Sequence, residues 1–488
     1  MALESHTYRI LRPALAYAEI DTLDLWNALT ASLRNLFAHS DVGAANVAGI
    51  GISCLCPGLT AFDKDRNILF NPIIYSDQRS TAEAEFIKEV VGVDTLFEIT
   101  ANTAMAGAIS GTSMLWIKRN RPDIYEKTRY FGHVNTLVAA RLTGEFAMDH
   151  SNASYTALFE TTGGLKWSKD LCELIGVDFE KLPPLKKSEE VVGYLNDPEF
   201  IALGIPSSTP VVIGGGDTAC ASLAVGITEH GDVCESVGTT NVLTTCVDKP
   251  RFNRAFINRC HVVSETWIYQ GALSHTGSSL AWFGERFCQD LIQRARNGEH
   301  DSNVFGLMDD EAAGSLPGAG GVTFLPYMQG ERSPVWDSHA RGVLFGLSLQ
   351  SSRADIIRAI LEGCGYGLRQ LTGVAEDMMG IRIPGFISIG GGSKSEVWTQ
   401  IKADIMGKHI DILDIGNVAP MGAALLAGVG CGVFSSVKEA SRRVEKKVLK
   451  RIIGRDTHKK VYDSHFEVYT KLYPQLRELY RVGLEVGP

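Results

Sequence analysis

Three glycine-rich turns lie far apart in this chain, and the residues in them could carry out phosphoryl chemistry. They span residues 214–217 (Gly-Gly-Gly-Asp), 238–240 (Gly-Thr-Thr) and 390–393 (Gly-Gly-Gly-Ser), and each follows a short apolar run that predicts a buried strand. Glycine lets the backbone approach a bulky anion closely, and N–H groups exposed in such turns can hold phosphate oxygens. The first turn ends in a carboxylate, Asp217, which could act as a general base. The combination indicates phosphoryl transfer from a nucleotide.

The third turn has the clearest local signal. Ser393 and Glu396 have the spacing of a capping box, which predicts a helix that starts at Ser393 and ends at Gly407. A strand, a glycine turn and a helix N-terminus form a surface on which a nucleotide can bind. Glycine turns also serve simply to pack a helix on a sheet, so this turn alone decides nothing. No Walker A sequence occurs, and the glycines lack the G-x-G-x-x-G spacing of a Rossmann site.

Length and composition predict a two-domain globular enzyme. The chain has 488 residues, of which 45% are hydrophobic and 21% charged, so we expect two domains of roughly 200 residues each. A formal net charge of −9 argues against nucleic acid or an acidic membrane surface as a partner, because both require clustered positive charge. The apolar run at 419–434 is short for a membrane span and rich in glycine and alanine, so it predicts a buried helix.

The ten cysteines are scattered and form no C-x-x-C pair. Cys54 and Cys56 alternate along a predicted strand, which suits buried packing better than metal ligation, so we predict no metal site. Residues 1–13 carry charged and polar groups without a long apolar core and show no signal peptide. These features indicate a reduced, cytoplasmic protein.

Strands and helices alternate along the chain, which is typical of an α/β fold. The predicted strands are 47–55, 59–63, 68–75, 211–216 and a hairpin over 232–247, and the predicted helices are 81–91, 114–120, 135–142 and 356–371. We place the boundary between two lobes near 227–231. The chain therefore divides into lobes 1–227 and 228–436, followed by a helical tail over 437–488.

Taken together, the motifs resemble the FGGY family of carbohydrate kinases, and within it the xylulokinase-like branch. The resemblance runs from about Tyr8 to Gly432 and rests on ordered segments at 74–79, 141–145, 149–154, 214–219, 237–240, 324–334, 342–347, 361–363, 390–393 and 419–424. It implies two ribonuclease-H-like lobes, as in actin and hexokinase, around a central cleft. A small sugar and MgATP would meet in that cleft, so ATP and Mg²⁺ are the implied cofactors. The implied partners are these small molecules alone, with a homodimer as one possible assembly.

The resemblance assigns the general base to Asp217, which would take the proton from the sugar hydroxyl as that oxygen attacks the γ-phosphorus. The alternative is that Asp217 only caps a helix starting near Thr218, a role worth about 1 kcal/mol. The resemblance also implies nucleotide contacts at Gly238, Thr239, Gly277, Gly391, Gly392 and Ser393. A plain hairpin turn is the alternative for Gly238 and Thr239.

The sugar side is implied to include Cys56, Pro57, Asp77, Arg79 and Thr218. For Asp77 and Arg79 the alternative is a surface salt bridge. Xylulokinases have Met-His-Gly where this chain has Cys56-Pro57-Gly58, and proline has no side-chain hydrogen-bond donor. The pocket must therefore read its sugar differently, and xylulose is one candidate beside other ketoses, polyols and sugar acids.

One family motif is missing from the sequence. The family opens with a strand-turn-strand that carries Asp-x-Gly-Thr and helps to hold the Mg-phosphate, so we expect the first lobe to lack its opening strands. Loss of such a loop costs several orders of magnitude in rate, since each donor or metal contact is worth roughly 3 kcal/mol. The alternative to an active sugar kinase is therefore a truncated or catalytically weak homologue that binds sugar and nucleotide.

Overall fold

The first lobe consists of small sheets flanked by helices in the computed structural model, which describes residues 2–485. Its strands are β1 Ile10–Leu11, β2 Glu19–Ile20, β3 Ile50–Cys54, β4 Gly58–Phe62, β5 Ile68–Ile74, β6 Tyr130–Gly132, β7 Met148–Asp149, β8 Leu185–Lys186, β9 Val191–Tyr194 and β10 Pro210–Gly216. Its helices are α1 Thr22–His39, α2 Thr81–Val91, α3 Val93–Thr100, α4 Ser110–Asn120, α5 Pro122–Lys127, α6 Val134–Thr143, α7 His150–Ala153, α8 Lys169–Ile175, α9 Pro198–Ala202 and α10 Asp217–Val225.

The strands of the first lobe form separate sheets with the orders β1-β2-β5-β4-β6, β3-β10-β9 and β7-β8. Strands β3 and β10 run parallel, and β10 carries the glycines of the first turn within the strand itself. Within residues 2–485, β10 is the only strand that pairs with β3. The strand that carries the first turn is therefore the central strand of a three-stranded sheet, with β3 and β9 at its edges.

The second lobe has one large sheet. Its strands are β11 Val233–Val237, β12 Asn241–Val247, β13 Ile257–Cys260, β14 Trp267–Leu273, β15 Thr323–Leu325, β16 Val343–Phe345, β17 Gly385–Ile389, β18 His409–Leu413 and β19 Val448–Ile452. Its helices are α11 Gly277–Phe287, α12 Gln289–Arg296, α13 Val304–Gly314, α14 Arg353–Met379, α15 Glu396–Met406, α16 Val418–Gly430, α17 Val437–Arg443 and α18 Lys459–Glu485. The large sheet has the order β13-β14-β12-β11-β17-β18-β19, and β15 pairs with β16.

Most predicted elements are present, with bounds that differ by a few residues. Helix α2 has the predicted ends, and the hairpin β11–β12 turns at the predicted glycine. Helix α14 extends beyond the predicted 356–371 because Ser352 and Asp355 form a capping box before it and Gly380, with φ of +71°, ends it. The tail 437–488 contains a strand as well as helices, since β19 pairs antiparallel with β18.

Helix α16 joins the two lobes. It packs on α10, β3 and β10 of the first lobe. At Gly51 and Gly422 a β-carbon would collide with a carbonyl of the facing element, so only glycine permits the close approach. The apolar run 419–434 thus belongs largely to a buried helix, as predicted. Among the described residues, no helix is long and apolar enough to cross a membrane.

Candidate functional site

The second lobe contains a cavity of about 920 Å³ lined by most of the predicted nucleotide contacts. The predicted contacts on its wall are Gly238, Thr239, Gly277, Gly391 and Gly392. Ser393 is not on the wall; it is buried, and its hydroxyl donates to the Gly390 carbonyl at 2.7 Å. The cavity therefore brings together turns that are far apart in sequence, from Gly238 to Gly392.

Glycine is required where these turns touch each other. A β-carbon on Gly277 would collide with the Gly238 carbonyl, and one on Gly390, which has φ of +93°, would collide with Val237. In both cases the added β-carbon would meet backbone atoms, which cannot move aside as a flexible side chain could. The turns consequently pack closely against one another beside the cavity, and glycine turns of this kind suit phosphate oxygens.

The helix after the third turn starts later than predicted. Residues Gly391–Lys394 form a 3₁₀ turn, and α15 begins at Glu396 with Ser395 as its N-cap. The predicted cap at Ser393 was wrong, because the Ser395 hydroxyl is the one that accepts the Trp398 N–H, at 3.0 Å. The predicted end at Gly407 is confirmed.

A buried carboxylate, Glu235 on β11, fixes the elements behind the cavity. It accepts hydrogen bonds from Asn241 at 2.6 Å, from Ser388 at 2.8 Å and from the Lys402 ammonium at 2.6 Å. These partners lie on β12, β17 and α15, so one side chain ties together the strands and the helix that carry two of the three turns. Both Glu235 and Lys402 have fully buried side chains.

The cavity wall also carries several hydrogen-bond acceptors. Its carboxylates include Glu285, Asp309 and Glu396, and Lys394 contributes a positive charge. Burial raises the pKa of Asp309 to about 6. Carboxylates suit the hydroxyl and amino groups of a nucleoside, whereas they would repel its phosphates, so the glycine turns are the end of the cavity that suits phosphate.

Asp217 is the first residue of α10 and is exposed to solvent. Its Oδ1 accepts hydrogen bonds from the Thr218 N–H at 2.6 Å and the Thr218 hydroxyl at 3.0 Å. The N-cap of α10 is Gly216, without a side-chain hydrogen bond. Asp217 thus satisfies one N–H of the first turn although Gly216 holds the N-cap position, and its role as general base stays a prediction. Within the described part of the chain, its Oδ2 has no hydrogen-bond partner.

A second buried carboxylate, Asp149, fixes the turn before Asp217. It accepts hydrogen bonds from Asn135 at 2.8 Å, from Asn152 at 2.6 Å and from the Ser151 hydroxyl at 2.5 Å. The Ser151 oxygen in turn accepts the Gly216 N–H at 3.1 Å. Burial raises the pKa of Asp149, and the hydrogen bonds from its neutral donors offset this rise only in part. This network sets the backbone from which Asp217 projects.

Arg259 on β13 is a site residue that the sequence analysis missed. Its side chain is buried, with 1% of the residue exposed, and it reaches from the second lobe to the first. A β-carbon on Gly216 would lie 2.9 Å from Arg259 Nη1 and 3.3 Å from the Cys56 β-carbon. The feature that could have pointed to it is an arginine at an inward-facing position of the short strand β13. In the structure this position pairs with the buried Ile268 of β14.

Cys56 and Pro57 lie beside this guanidinium and the turn that carries Asp217. Burial raises the pKa of the Cys56 thiol well above its usual value, so the thiol is protonated and is a weak hydrogen-bond partner. Pro57 is buried and offers no donor. The strongest polar group at this end of the cleft is therefore supplied by Arg259, not by the predicted segment.

Asp77 and Arg79 form a buried ion pair, which replaces the surface salt bridge considered as an alternative. Their side chains are 0% and 1% exposed, and Arg79 also pairs with Glu19 at 2.7 Å. The guanidinium lies 3.9 Å from the centroid of the Tyr17 ring. Because these groups satisfy one another, they stabilise the loop after β5, and their contact with sugar stays a prediction.

The hairpin β13–β14 connects the two lobes at this point. Asn258 and Asn102 exchange hydrogen bonds, in which the Asn258 N–H donates at 3.0 Å and the Asn102 amide donates to the Asn258 carbonyl at 2.7 Å. The Cys260 N–H donates to the Ser154 hydroxyl at 3.1 Å. Arg259 sits between these two contacts, so the hairpin places its side chain against the first lobe.

Family models match both lobes. The model described as the FGGY family of carbohydrate kinases, N-terminal domain, matches residues 1–224, and the corresponding C-terminal domain matches residues 234–431. The chain belongs to the FGGY family of carbohydrate kinases. It is thus an ATP-dependent sugar kinase, and the predicted family and activity are confirmed.

Individual relatives of this FGGY kinase cover nearly the whole chain. It is 30% identical to the xylulose kinase of Bacillus subtilis (strain 168) over 97% of this chain and 92% of that protein. It is 26% identical to the gluconokinase of the same strain over 90% of this chain and 84% of that protein. The crystal structure of xylulose kinase from Rhodospirillum rubrum superposes with a TM-score of 0.87 at 25% identity, over 98% of this chain and 94% of that one.

These matches confirm the predicted two-lobed α/β fold of the actin and hexokinase type. The residue-level assignments and the predicted lobe bounds are separate matters, and they stay predictions. What the structure adds for this FGGY kinase is the placement of the predicted residues: the nucleotide turns line one cavity in the second lobe, and Asp217 opens α10 in the first.

Proposed function

We propose that this kinase transfers the γ-phosphoryl group of MgATP to a hydroxyl of a small sugar, with Asp217 as the general base. The sugar oxygen attacks the γ-phosphorus, its proton passes to Asp217, and the bond to the ADP oxygen breaks. One observation carries the proposal. Asp217 is an exposed carboxylate with an unpartnered oxygen, and it stands on a turn that Asp149 and Ser151 hold through buried hydrogen bonds.

The nucleotide side supports the same reaction. The turns of the second lobe would offer the backbone N–H groups of Thr239 and Gly277 to the β- and γ-phosphates. Gly238 lies on the same wall, but its N–H donates to the Thr240 carbonyl at 2.8 Å and so shapes the turn. Gly391 and Gly392 lie on the same cavity wall and would border the adenosine. Ser393 would act from behind the wall, by fixing the carbonyl of Gly390 rather than by touching the nucleotide.

Mg²⁺ would enter as part of the MgATP substrate. In the part of the chain that the structure describes, no group of three or more His, Cys, Asp or Glu side chains is placed to hold a metal. Mg²⁺ usually keeps several waters and binds through one or two carboxylates together with substrate phosphates. A metal held mainly by the ATP phosphates and water would leave the Asp217 carboxylate free to accept the sugar proton.

The sugar would bind in the cleft between Asp217, Thr218 and the Cys56-Pro57 segment. The relatives' names point to two chemical types, a neutral ketose for the xylulose kinases and a sugar acid for the gluconokinase. We infer a cytoplasmic location, because all ten cysteines are free in the structure and most are buried, as expected in a reducing compartment.

A sugar- and nucleotide-binding protein with weak turnover is the second candidate. It is favoured by the absence of an Asp-x-Gly-Thr motif from the sequence. The two candidates differ in rate and not in binding, so a measurement must report both quantities.

The test is Asp217→Ala. We expect turnover to fall by about 100-fold to 10,000-fold, the usual contribution of a general base, while the Kd for ATP changes less than about threefold. ADP formation with a sugar panel measures turnover, and calorimetry measures ATP affinity. Asp170→Ala, an exposed aspartate on α8, is the matched control and should leave both unchanged. Parallel loss of turnover and ATP affinity would mean that Asp217 is structural, and slow turnover of every sugar by the wild type would favour the second candidate.

A further inference from the structure

Arg259 carries a buried positive charge without a carboxylate partner. Its Nε and Nη2 are buried and have no hydrogen-bond partner within the described residues. These two nitrogens form one edge of the guanidinium, the edge that binds both oxygens of a carboxylate at once. A buried charge that lacks a partner costs several kcal/mol, so this edge requires an anion to become stable.

Other arginines of the same chain show what this edge binds. Arg451 donates through Nε and Nη2 to the two oxygens of Asp411, both at 2.6 Å. Arg121 holds Asp123 in the same way, with both distances at 3.1 Å. Arg259 presents the same pair of donors in a far more buried place. The comparison points to a carboxylate as the missing partner.

Among residues 2–485, no carboxylate hydrogen-bonds to that edge. The oxygens of Asp149 accept from the neutral donors of α6 and α7. Asp217 Oδ1 accepts from Thr218, and its Oδ2 makes no hydrogen bond to the Nε or Nη2 of Arg259. The side of the guanidinium is covered by the Tyr155 ring, whose centroid lies 5.1 Å away. Burial lowers the pKa of Arg259, but the surrounding groups, led by Tyr155, outweigh burial and leave the pKa raised, so the side chain is charged.

The position of Arg259 links it to the phosphorylation site. Its Nη1 lies next to Gly216, the residue before Asp217, and Cys56 lies on the other side. The side chain comes from the second lobe and touches the first, so separation of the lobes would expose it to an entering sugar. A molecule with a hydroxyl at Asp217 and a carboxylate at Arg259 would need only a few carbons between them.

We infer that the substrate of this kinase is a sugar acid, whose carboxylate binds the Nε and Nη2 edge of Arg259. The inference rests on the proposed function and names its substrate class. The carboxylate takes no part in the bond changes: the sugar hydroxyl oxygen bonds to the γ-phosphorus, its proton goes to Asp217, and ADP leaves. A neutral ketose would leave the guanidinium unpaired.

The experiment compares acids with matched neutral sugars by calorimetry on the full chain. Gluconate is compared with glucitol, and xylonate with xylitol and xylulose, in the presence of a non-hydrolysable ATP analogue. We expect each acid to bind at least about 30-fold more tightly than its neutral counterpart, the low end of the effect of a buried charge pair. Equal or tighter binding of the neutral sugars overturns the inference, and it does so without any variant.

Variants then locate the effect at Arg259. Arg259→Met should lower the affinity for the acid by at least about 30-fold and leave the affinity for the neutral sugar within about threefold. Arg259→Lys, which keeps the charge but loses the fork, should give an intermediate loss. Arg121→Met removes a similar fork that holds a surface aspartate, and it should change neither affinity. ATP affinity reports whether each variant is folded.

Turnover is measured separately, because it tests the proposed function. Acid binding that depends on Arg259, without phosphorylation of any sugar, would contradict the kinase proposal and leave the inference standing. Rapid phosphorylation of xylulose that Arg259→Met does not alter would overturn the inference and leave the kinase proposal standing.

Discussion

In each lobe a buried carboxylate lies behind a glycine turn, Glu235 in the second lobe and Asp149 in the first. The two carboxylates have different kinds of hydrogen-bond partner. Glu235 behind the nucleotide cavity pairs with Lys402, and both side chains are fully buried. Asp149 behind Asp217 is held by neutral donors, and within the described residues it forms no ion pair. The nucleotide side thus has its charge balanced inside one lobe. On the sugar side, the nearby positive charge belongs to Arg259, which comes from the other lobe.

The cavity in the second lobe is therefore fixed within that lobe, whereas the site around Asp217 depends on how the two lobes are positioned. The partners of Glu235 all belong to the second lobe, so the phosphate turns keep their geometry whatever the first lobe does. Arg259 lies beside the turn that carries Asp217 only while β13 contacts the first lobe. We expect ATP to bind to a preformed surface and the sugar to bind at a site that lobe closure finishes.

The largest effect is expected from Lys402→Met. The substitution leaves Glu235 buried without its cation, which costs about 3–5 kcal/mol in the free energy of unfolding. Urea denaturation measures the loss. Lys450→Met, which breaks an exposed pair with Glu396, is the control and should cost under about 1 kcal/mol. If Lys402→Met lowers the free energy of unfolding by less than about 1 kcal/mol, the Glu235–Lys402 pair does not fix the elements behind the cavity.

A smaller effect is expected from Ser151→Ala. The Gly216 N–H loses its acceptor, which costs about 1–3 kcal/mol of stability, and the displaced turn should lower kcat by about tenfold. Ser388→Ala removes one of the donors to Glu235 and serves as the counterpart in the other lobe. It should cost similar stability without lowering kcat. Equal effects on kcat would show that the hydrogen-bond networks around Asp149 and Glu235 do not differ in function.

The smallest effect is expected in the pH dependence of stability. Burial raises the pKa of Asp149 above the ordinary value of 3.8, so the folded state holds this proton to higher pH than the unfolded chain. The contribution to stability is complete below pH 3.8 and is lost as pH rises through the raised pKa. Asp149→Asn cannot titrate, so its free energy of unfolding should fall less with rising pH than that of the wild type. Identical slopes would contradict the assignment.

The nucleotide side could be predicted from the sequence far better than the sugar side. Its predicted contacts lie in glycine turns, and a turn of that kind is visible in a short stretch of sequence. The hairpin at Gly238 is present as predicted, and Gly277 lies against it because neither residue has a side chain. The error at Ser393 arose because two serines lie near the helix start, and the intervening 3₁₀ turn gave the cap to Ser395.

The sugar side depends on side chains brought together from distant segments. Nothing around Arg259 in the sequence marks it as a site residue, because its position at the site depends on the first-lobe residues that face it. The pairing of β13 with β14 places the Arg259 side chain in the interior. The contact between the hairpin and the end of α7 then holds this side chain next to Gly216. Asp149 and Ser151 belong to a segment that marked the family, but their link to Gly216 could only come from the fold.

The position of α16 has a consequence for how the protein is made. The helix covers α10 and β3, although it is translated only after most of the second lobe. Strand β19, translated later still, covers the edge of β18. A nascent chain on the ribosome therefore exposes an apolar helix face and an open strand edge, both prone to aggregate with neighbouring chains. Slower elongation lengthens that interval, and a chaperone that shields the first lobe until residue 430 has emerged would raise the yield of folded protein.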